Sequence, residues 1–465
     1  MFYLLRNIMP SVPRSVLYVG VLSLIGMSPL AFSYPLTLQE AQSLAVQHDP
    51  LLKGSEWREK ALSAEKVAAD TWENPIMSTS LMNLPVNGFS LSQEPMTQFK
   101  VGIKQRLPRG ETNAIKSTVF DLKARQEMLI REGRRWQLIN DVSQLWLNWY
   151  HSEQKKRVYN AQIQLLKPLL EVTESRYRQG VNQSQQQDVL NVRMAMLRLQ
   201  DDLTQADLDS RTAIADMSVY WDAPAQGAPT LPDTFSFPQT PTLLDTVKRA
   251  EPVALMTYHP SAHQLALNEK IARQNLALAN ETGKPQWAIE ASYGHRQEAQ
   301  NGASRADFFS IGVQVDLPYF TTSKRNAETD AASARMHAAA TDFRLRVREL
   351  AARALSLQEK LSVLQQRKAL YESGLLQQSK DLIEVSLASY TSDAGSFNDV
   401  IDASINRMNV ELESLSIETQ IMRVISELTS LYIPAVTVAE KLNVEIVNTP
   451  DGIEGQDVGV VTHEG

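Results

Sequence analysis

The feature that most constrains this chain is a phrase written twice. "FKVGIKQRLPRG" begins at Phe99 and "FSIGVQVDLPYF" at Phe309, 210 positions later. Each alternates apolar and polar residues with the two-residue period of a strand, then ends in Leu-Pro. Elsewhere the chain is dominated by Ala, Leu, Gln, Glu and Arg, the composition of extended helices. Each phrase has a partner upstream. "QWAIEASYGHR" places Trp287, Ile289, Ala291 and Tyr293 on one face, and "IMSTSLMNL" alternates less regularly. The expected strands lie at about 75–84, 97–107, 285–295 and 307–317.

The duplication extends well beyond the strands. Asp49-Pro50 is answered by His259-Pro260, Asn74-Pro75 by Lys284-Pro285, and Leu107-Pro108 by Leu317-Pro318, all at the same offset of 210. "YRQGVNQSQQQDVLNV" from Tyr177 corresponds to "YTSDAGSFNDVIDA" from Tyr390. The chain therefore reads as a first repeat over 34–221, a Pro- and Gly-containing linker over 222–250, a second repeat over 251–433 and a polar tail over 434–465. Within each repeat a helix precedes the strand pair and a long helical hairpin follows it. The rods from Glu111 to about Arg178 and from Lys324 to about Tyr390 exceed 60 residues, which is about 100 Å of helix. Pro168 is expected to kink the first near its far end.

Residues 1–33 differ from the rest. Arg6 and Arg14 precede the apolar run "SVLYVGVLSLIGM", and Ala31 and Ser33 fit a small-residue cleavage site, so this segment reads as a cleaved secretory leader. An uncleaved anchor is the other reading, although the run is shorter than the ~20 residues of a span. The formal charge is −7 with both signs interspersed, so no basic stripe indicates nucleic acid. Cysteine is absent, which excludes disulfide stapling and N-terminal lipidation. Beyond the leader no stretch reads as a membrane-spanning helix, so insertion in a bilayer would have to use strands.

The strands have the length and pattern of transmembrane β-strands, apolar toward lipid and polar toward a lumen. Four cannot close a barrel, since the smallest have about eight. An open edge in lipid leaves backbone groups unsatisfied at several kcal/mol each. Copies of the chain must then share one sheet, and three would supply twelve strands. Pro108 and Pro318 donate nothing to a ladder and turn the preceding residue from the α region, so each marks a barrel-to-helix junction.

This order of parts resembles the TolC-like outer-membrane factors over Leu36 to about Ile433. The duplicated helix, strand pair and helix pair carry the likeness, with the Leu-Pro after each second strand and the "YRQG" and "DVL" landmarks at the turns. The resemblance implies a mainly α fold with a small β part: a trimeric twelve-stranded outer-membrane barrel continuous with a helical periplasmic tunnel. It implies a homotrimer in outer-membrane lipid, docked on a periplasmic adaptor and an inner-membrane pump of the RND type. No cofactor, enzyme activity or nucleic acid is implied.

The resemblance also assigns residues. Asp399 and Asp402 match aspartates that ring the periplasmic entrance; on a helix they share a face, and six in a trimer would attract cations and push some of their own pKa values up. Ordinary solvated carboxylates are the alternative. Tyr390 and Asp188 match the gate links, at the turns carrying Tyr177 and Arg178. Gly395 replaces an arginine that the family's prototype uses, which implies a gate held by fewer charge pairs, or by Arg178 instead. "NPIMSTSLMN" and "SQEPMTQ" are similar to the heavy-metal efflux branch, which suggests metal cations as cargo. Met77, Met82 and Met96 are soft donors for monovalent copper or silver, or simply packing residues. His259 and His263 have a chelating spacing, or belong to a helix start.

No nucleophile elbow, phosphate loop or HExxH motif is present. The rival functions are a periplasmic coiled-coil scaffold or adaptor without a pore, and a type I protein-secretion channel of the same fold, which fold alone does not separate.

Overall fold

The computed structural model describes residues 35–178, 184–220, 229–232, 235, 237, 252–392 and 394–441. The leader, most of the linker and the end of the tail lie outside these residues. Helix α1 (Leu38–His48) opens on a capping box in which Thr37 and Glu40 exchange hydrogen bonds. Helix α2 (Pro50–Asp70) has Asp49 as its N-cap, accepting from the Leu52 backbone N–H at 3.0 Å, with Pro50 in the first turn. The duplicated landmark has the same use in the second repeat. There His259 caps the helix Pro260–Glu281, called α6 here, and Pro260 again stands first. A short helix, α5 (Pro252–Met256), precedes it where α1 stands in the first repeat.

Strands β1 (Ile76–Met82), β2 (Gln98–Arg106), β3 (Gln286–His295) and β4 (Phe308–Asp316) form one antiparallel sheet in chain order. The β2–β3 ladder joins the repeats, with Ile103 opposite Ala291 and Val101 opposite Tyr293. Directly paired residues share a face, so the register sorts the side chains by parity. Odd positions carry Met77, Leu81, Phe99, Ile103, Trp287, Ile289, Tyr293, Phe309, Ile311 and Val313, all exposed. Even positions carry Ser78, Lys100, Gly102, Lys104, Ala288, Glu290, Ser292, Ser310 and Gln314. Ala288, Ser292, Gly102 and Gly294 are buried on this side, which makes it the concave one. β1 is exposed along its whole length and β4 nearly so, and each has one unpaired edge.

Helices α3 (Thr112–Arg178) and α4 (Ser184–Met217) make the first hairpin, and Pro168 sits inside α3 without ending it. The second rod is less regular than the sequence suggests. α7 (Thr322–Leu370) passes through a π turn at Tyr371–Leu375 into α8 (Leu376–Thr391). Helix α9 (Phe397–Lys441) returns alongside and contributes to all four apolar clusters, from Phe397 and Ile401 through Met408 and Met422 to Val424, Leu428 and Tyr432. It is apolar and long enough to cross a bilayer by composition, but over half of its apolar window is buried in the protein, as in a core helix. α9 also runs past 433, burying Ala435 and Val438, so packed structure extends into the segment read as tail. In the first repeat Trp146, Trp149, Leu147 and Met217 enclose Leu36 and Leu38, and the indole N–H of Trp146 donates to the Leu36 carbonyl at 3.0 Å.

Candidate functional site

The tip forms where the α3–α4 and α8–α9 hairpins meet. Ser396 and Asp399 make a reciprocal cap on α9: the Ser396 hydroxyl accepts from the Asn398 N–H at 3.2 Å, and the Asp399 carboxylate accepts from the Ser396 N–H at 3.1 Å. Asp399 and Asp402 are exposed, whereas Val400, Ile401 and Ala403 are buried. The two carboxylates therefore share the outward face of α9, beside a helix N-terminus whose partial positive charge favours them.

The two hairpins are tied by residues that sequence reasoning did not single out. Phe397, only 3% exposed, packs with Val192 and Ile401, its ring 5.3 Å from that of Tyr390. The Asn191 amide donates to the Asn398 side-chain oxygen at 3.0 Å. Asp188 is half-buried on α4, and desolvation pushes its pKa up. Tyr177 is exposed, and Arg178 turns back on Glu174 of its own helix rather than reaching the second hairpin. Glu174 also takes Arg193 from α4 at 2.7 Å, which closes the first hairpin. Gly395 has a physical reason to be glycine. A Cβ there would lie 2.9 Å from that of Ser389 and 3.3 Å from backbone, so the turn has no room for the prototype's arginine.

At the opposite end of the helical hairpins, Pro108 separates β2 from α3, and Pro318 opens a 3-10 turn (Pro318–Thr321) between β4 and α7. The first junction is bound into the second repeat: Arg109 donates to the Thr282 carbonyl at 2.7 Å and pairs with Asp316, and the Glu111 N–H donates to Glu281 at 2.9 Å. The second junction leaves Leu317, Tyr319 and Phe320 exposed, Phe320 at 96%.

The soft and imidazole donors are not gathered. Met77 and Met82 occupy opposite faces of β1, and Met96 lies in the β1–β2 loop, its carbonyl taken by Asn83 at 3.1 Å. His259 uses Nδ1 to accept from the Ser261 N–H at 3.2 Å; burial, helped by Arg346, lowers its pKa to about 4. Burial also lowers that of His263. Among the described residues no cluster of three or more His, Asp or Glu is placed to hold a metal.

The concave face of the sheet carries the polar groups. Lys100 lies 3.7 Å from Glu290, Asp316 is taken by Arg109, and Lys104 donates to Gln314. Beyond the far ends of the strands, Arg305 of the β3–β4 loop donates to the Glu94 carbonyl at 2.9 Å and Arg296 to the Pro95 carbonyl at 3.2 Å, fastening the two loops to each other.

Residues 41–220 match the family described as outer membrane efflux protein. Among solved structures, the chain is similar to the outer membrane protein VceC of Vibrio cholerae, at 14% identity and TM-score 0.69, covering 85% of this chain and 95% of that one. CusC, whose structures concern conformational changes accompanying folding and transmembrane channel formation, has 12% identity and TM-score 0.69, over 86% of this chain and 93% of its own. The open state of the Neisseria gonorrhoeae MtrE outer membrane channel has 16% identity and TM-score 0.64, over 86% and 88%. No curated protein matches the chain. The mainly α architecture with a small antiparallel sheet is thus that of TolC-like channels, as the doubled sequence implied.

Proposed function

We propose that this chain, TolC-like in fold and matched to the outer membrane efflux protein family over its first repeat, is the outer-membrane outlet of an efflux assembly. Three copies close a twelve-stranded barrel, and their helices continue it as a periplasmic tunnel. The observation that carries this reading is the four-stranded sheet, apolar on its exposed face, polar on its concave face and unpaired at both edges. In water such edges template aggregation, and in lipid they are untenable until paired. The exposed Tyr319, Phe320 and Trp72 sit near the ends of the strands, where aromatic girdles of membrane barrels lie.

The resemblance supplies the proposed partners: a periplasmic adaptor and an inner-membrane pump, of RND type, deliver cargo to the tip. Metal cations are the cargo class that suits the Asp399 and Asp402 face, where three subunits would place six carboxylates around one constriction. The methionines and histidines add no shared donor set to that reading. Purified protein in planar bilayers tests it. Conductance is expected, with cation preference falling when Asp399 and Asp402 are replaced by Asn. Unchanged selectivity would remove the ring assignment, and loss of the gene without added sensitivity to any metal or drug would remove the efflux role.

A further inference from the structure

The charge on the concave face of the sheet is opposite in sign to that at the tip. Its even positions carry Lys100, Lys104 and Arg106 against only Glu290 and Asp316. Both carboxylates are already engaged, Glu290 near Lys100 at 3.7 Å and Asp316 with Arg109. Lys104 meets only the neutral Gln314, and Arg106 makes no ion pair among the described residues. Glu73 lines the same small cavity as Arg106 without pairing with it. The inward positions of β1, namely Ile76, Ser78, Ser80 and Met82, are uncharged. A neighbouring copy would therefore bring no compensating carboxylate on the strand it adds beside β4.

We propose that Lys104 and Arg106 make the helix-side end of the barrel, beside the Leu107-Pro108 junction, an anion-favouring, cation-repelling zone, so that the channel carries fixed charge of opposite sign at its tip and at this junction. The inference rests on the channel reading above. Fixed charge within about a Debye length of the permeating ion sets the local ion population, roughly 10 Å at 0.1 M salt and 3 Å at 1 M. An acidic segment in series with a basic segment conducts unequally in the two directions. Current is larger when the field drives cations in through the tip and anions in through the barrel, because both then accumulate along the bore.

Current–voltage curves and reversal potentials of the purified trimer, with protein added from one side of a bilayer in 0.1 M salt, test this. The wild type should rectify, and the asymmetry should vanish in 1 M salt. Lys104→Gln with Arg106→Gln should abolish rectification and move the reversal potential toward cation preference. Asp399→Asn with Asp402→Asn should move it the other way. The charge-keeping pair Lys104→Arg and Arg106→Lys should behave as wild type, which separates charge from folding. Conducting trimers whose rectification and reversal potential ignore the Gln substitutions would overturn the inference. Protein that assembles but never conducts would overturn the channel reading itself.

Discussion

His259 and Asp49 begin equivalent helices in the two repeats, and at His259 the capping acceptor is a ring nitrogen that protonation would remove. The Asp49 carboxylate, 5% exposed, is held by Arg134 at 2.8 Å. His259 caps through an unprotonated nitrogen, and burial together with Arg346 lowers its pKa from 6.5 to about 4. A histidine depressed in the folded state contributes stability that is complete above its unfolded pKa and is lost as pH falls toward the folded value. The melting temperature should therefore drop between pH 6.5 and 4, with His151, also lowered to about 4 chiefly by burial, adding to the fall. His259→Asn keeps a good cap without the titration and should flatten the drop; an unchanged slope would exclude the cap as its source. A second residue-scale test concerns Gly110, at φ +51, where a Cβ would run into the Glu281 carboxylate. Gly110→Ala should cost about 1–2 kcal/mol for the backbone and also displace the Glu281 link to Glu111. Gly302→Ala, at φ +79 with nothing within 4 Å, should cost only the backbone part. Thermal denaturation of the two variants compares them directly. The proline landmarks were visible in the sequence because proline restricts backbone locally. The link from Glu281 to Glu111 was not, because it joins residues 170 positions apart.

Among the elements, the strands were legible because alternation states both their length and their faces, and register adds only which strand lies beside which. The long helices were legible from composition, but the π turn at Tyr371–Leu375 was not, since a sequence of good helix formers does not say where an extra residue is accommodated. The end of α9 was misplaced for a related reason. The second repeat reads as ending at 433, just before Pro434, yet Tyr432, Ala435 and Val438 bury enough apolar surface for the helix to continue through that proline. At the tip, the family resemblance singled out Asp399 and Asp402, which are exposed, and did not point to the buried Phe397 beside them. Phe397→Ala should cost about 3–5 kcal/mol of local packing and loosen α9 from α4, read as higher single-channel conductance. Asn398→Ala, which removes only the hydrogen bond to Asn191, should have a smaller effect. Equal conductance in Phe397→Ala and wild type would mean that this contact does not hold the tip.

For the whole molecule, the single chain leaves its sheet open at both sides. The protomer's core is divided between the two hairpins and bound along α9, while its sheet keeps two unpaired edges and an apolar face turned outward. The doubling made this readable before any coordinates, because it showed four strands where closure needs more. Cargo was not readable, since selectivity of the proposed pore would depend on charges from distant positions, Lys104 and Arg106 beside the strand-to-helix junction and Asp399 and Asp402 at the tip. The most direct test of the account is the mass of the detergent-solubilised protein by native mass spectrometry. Three chains per particle, extracted only with detergent, is the predicted result. A single chain that remains soluble and unaggregated without detergent would contradict it.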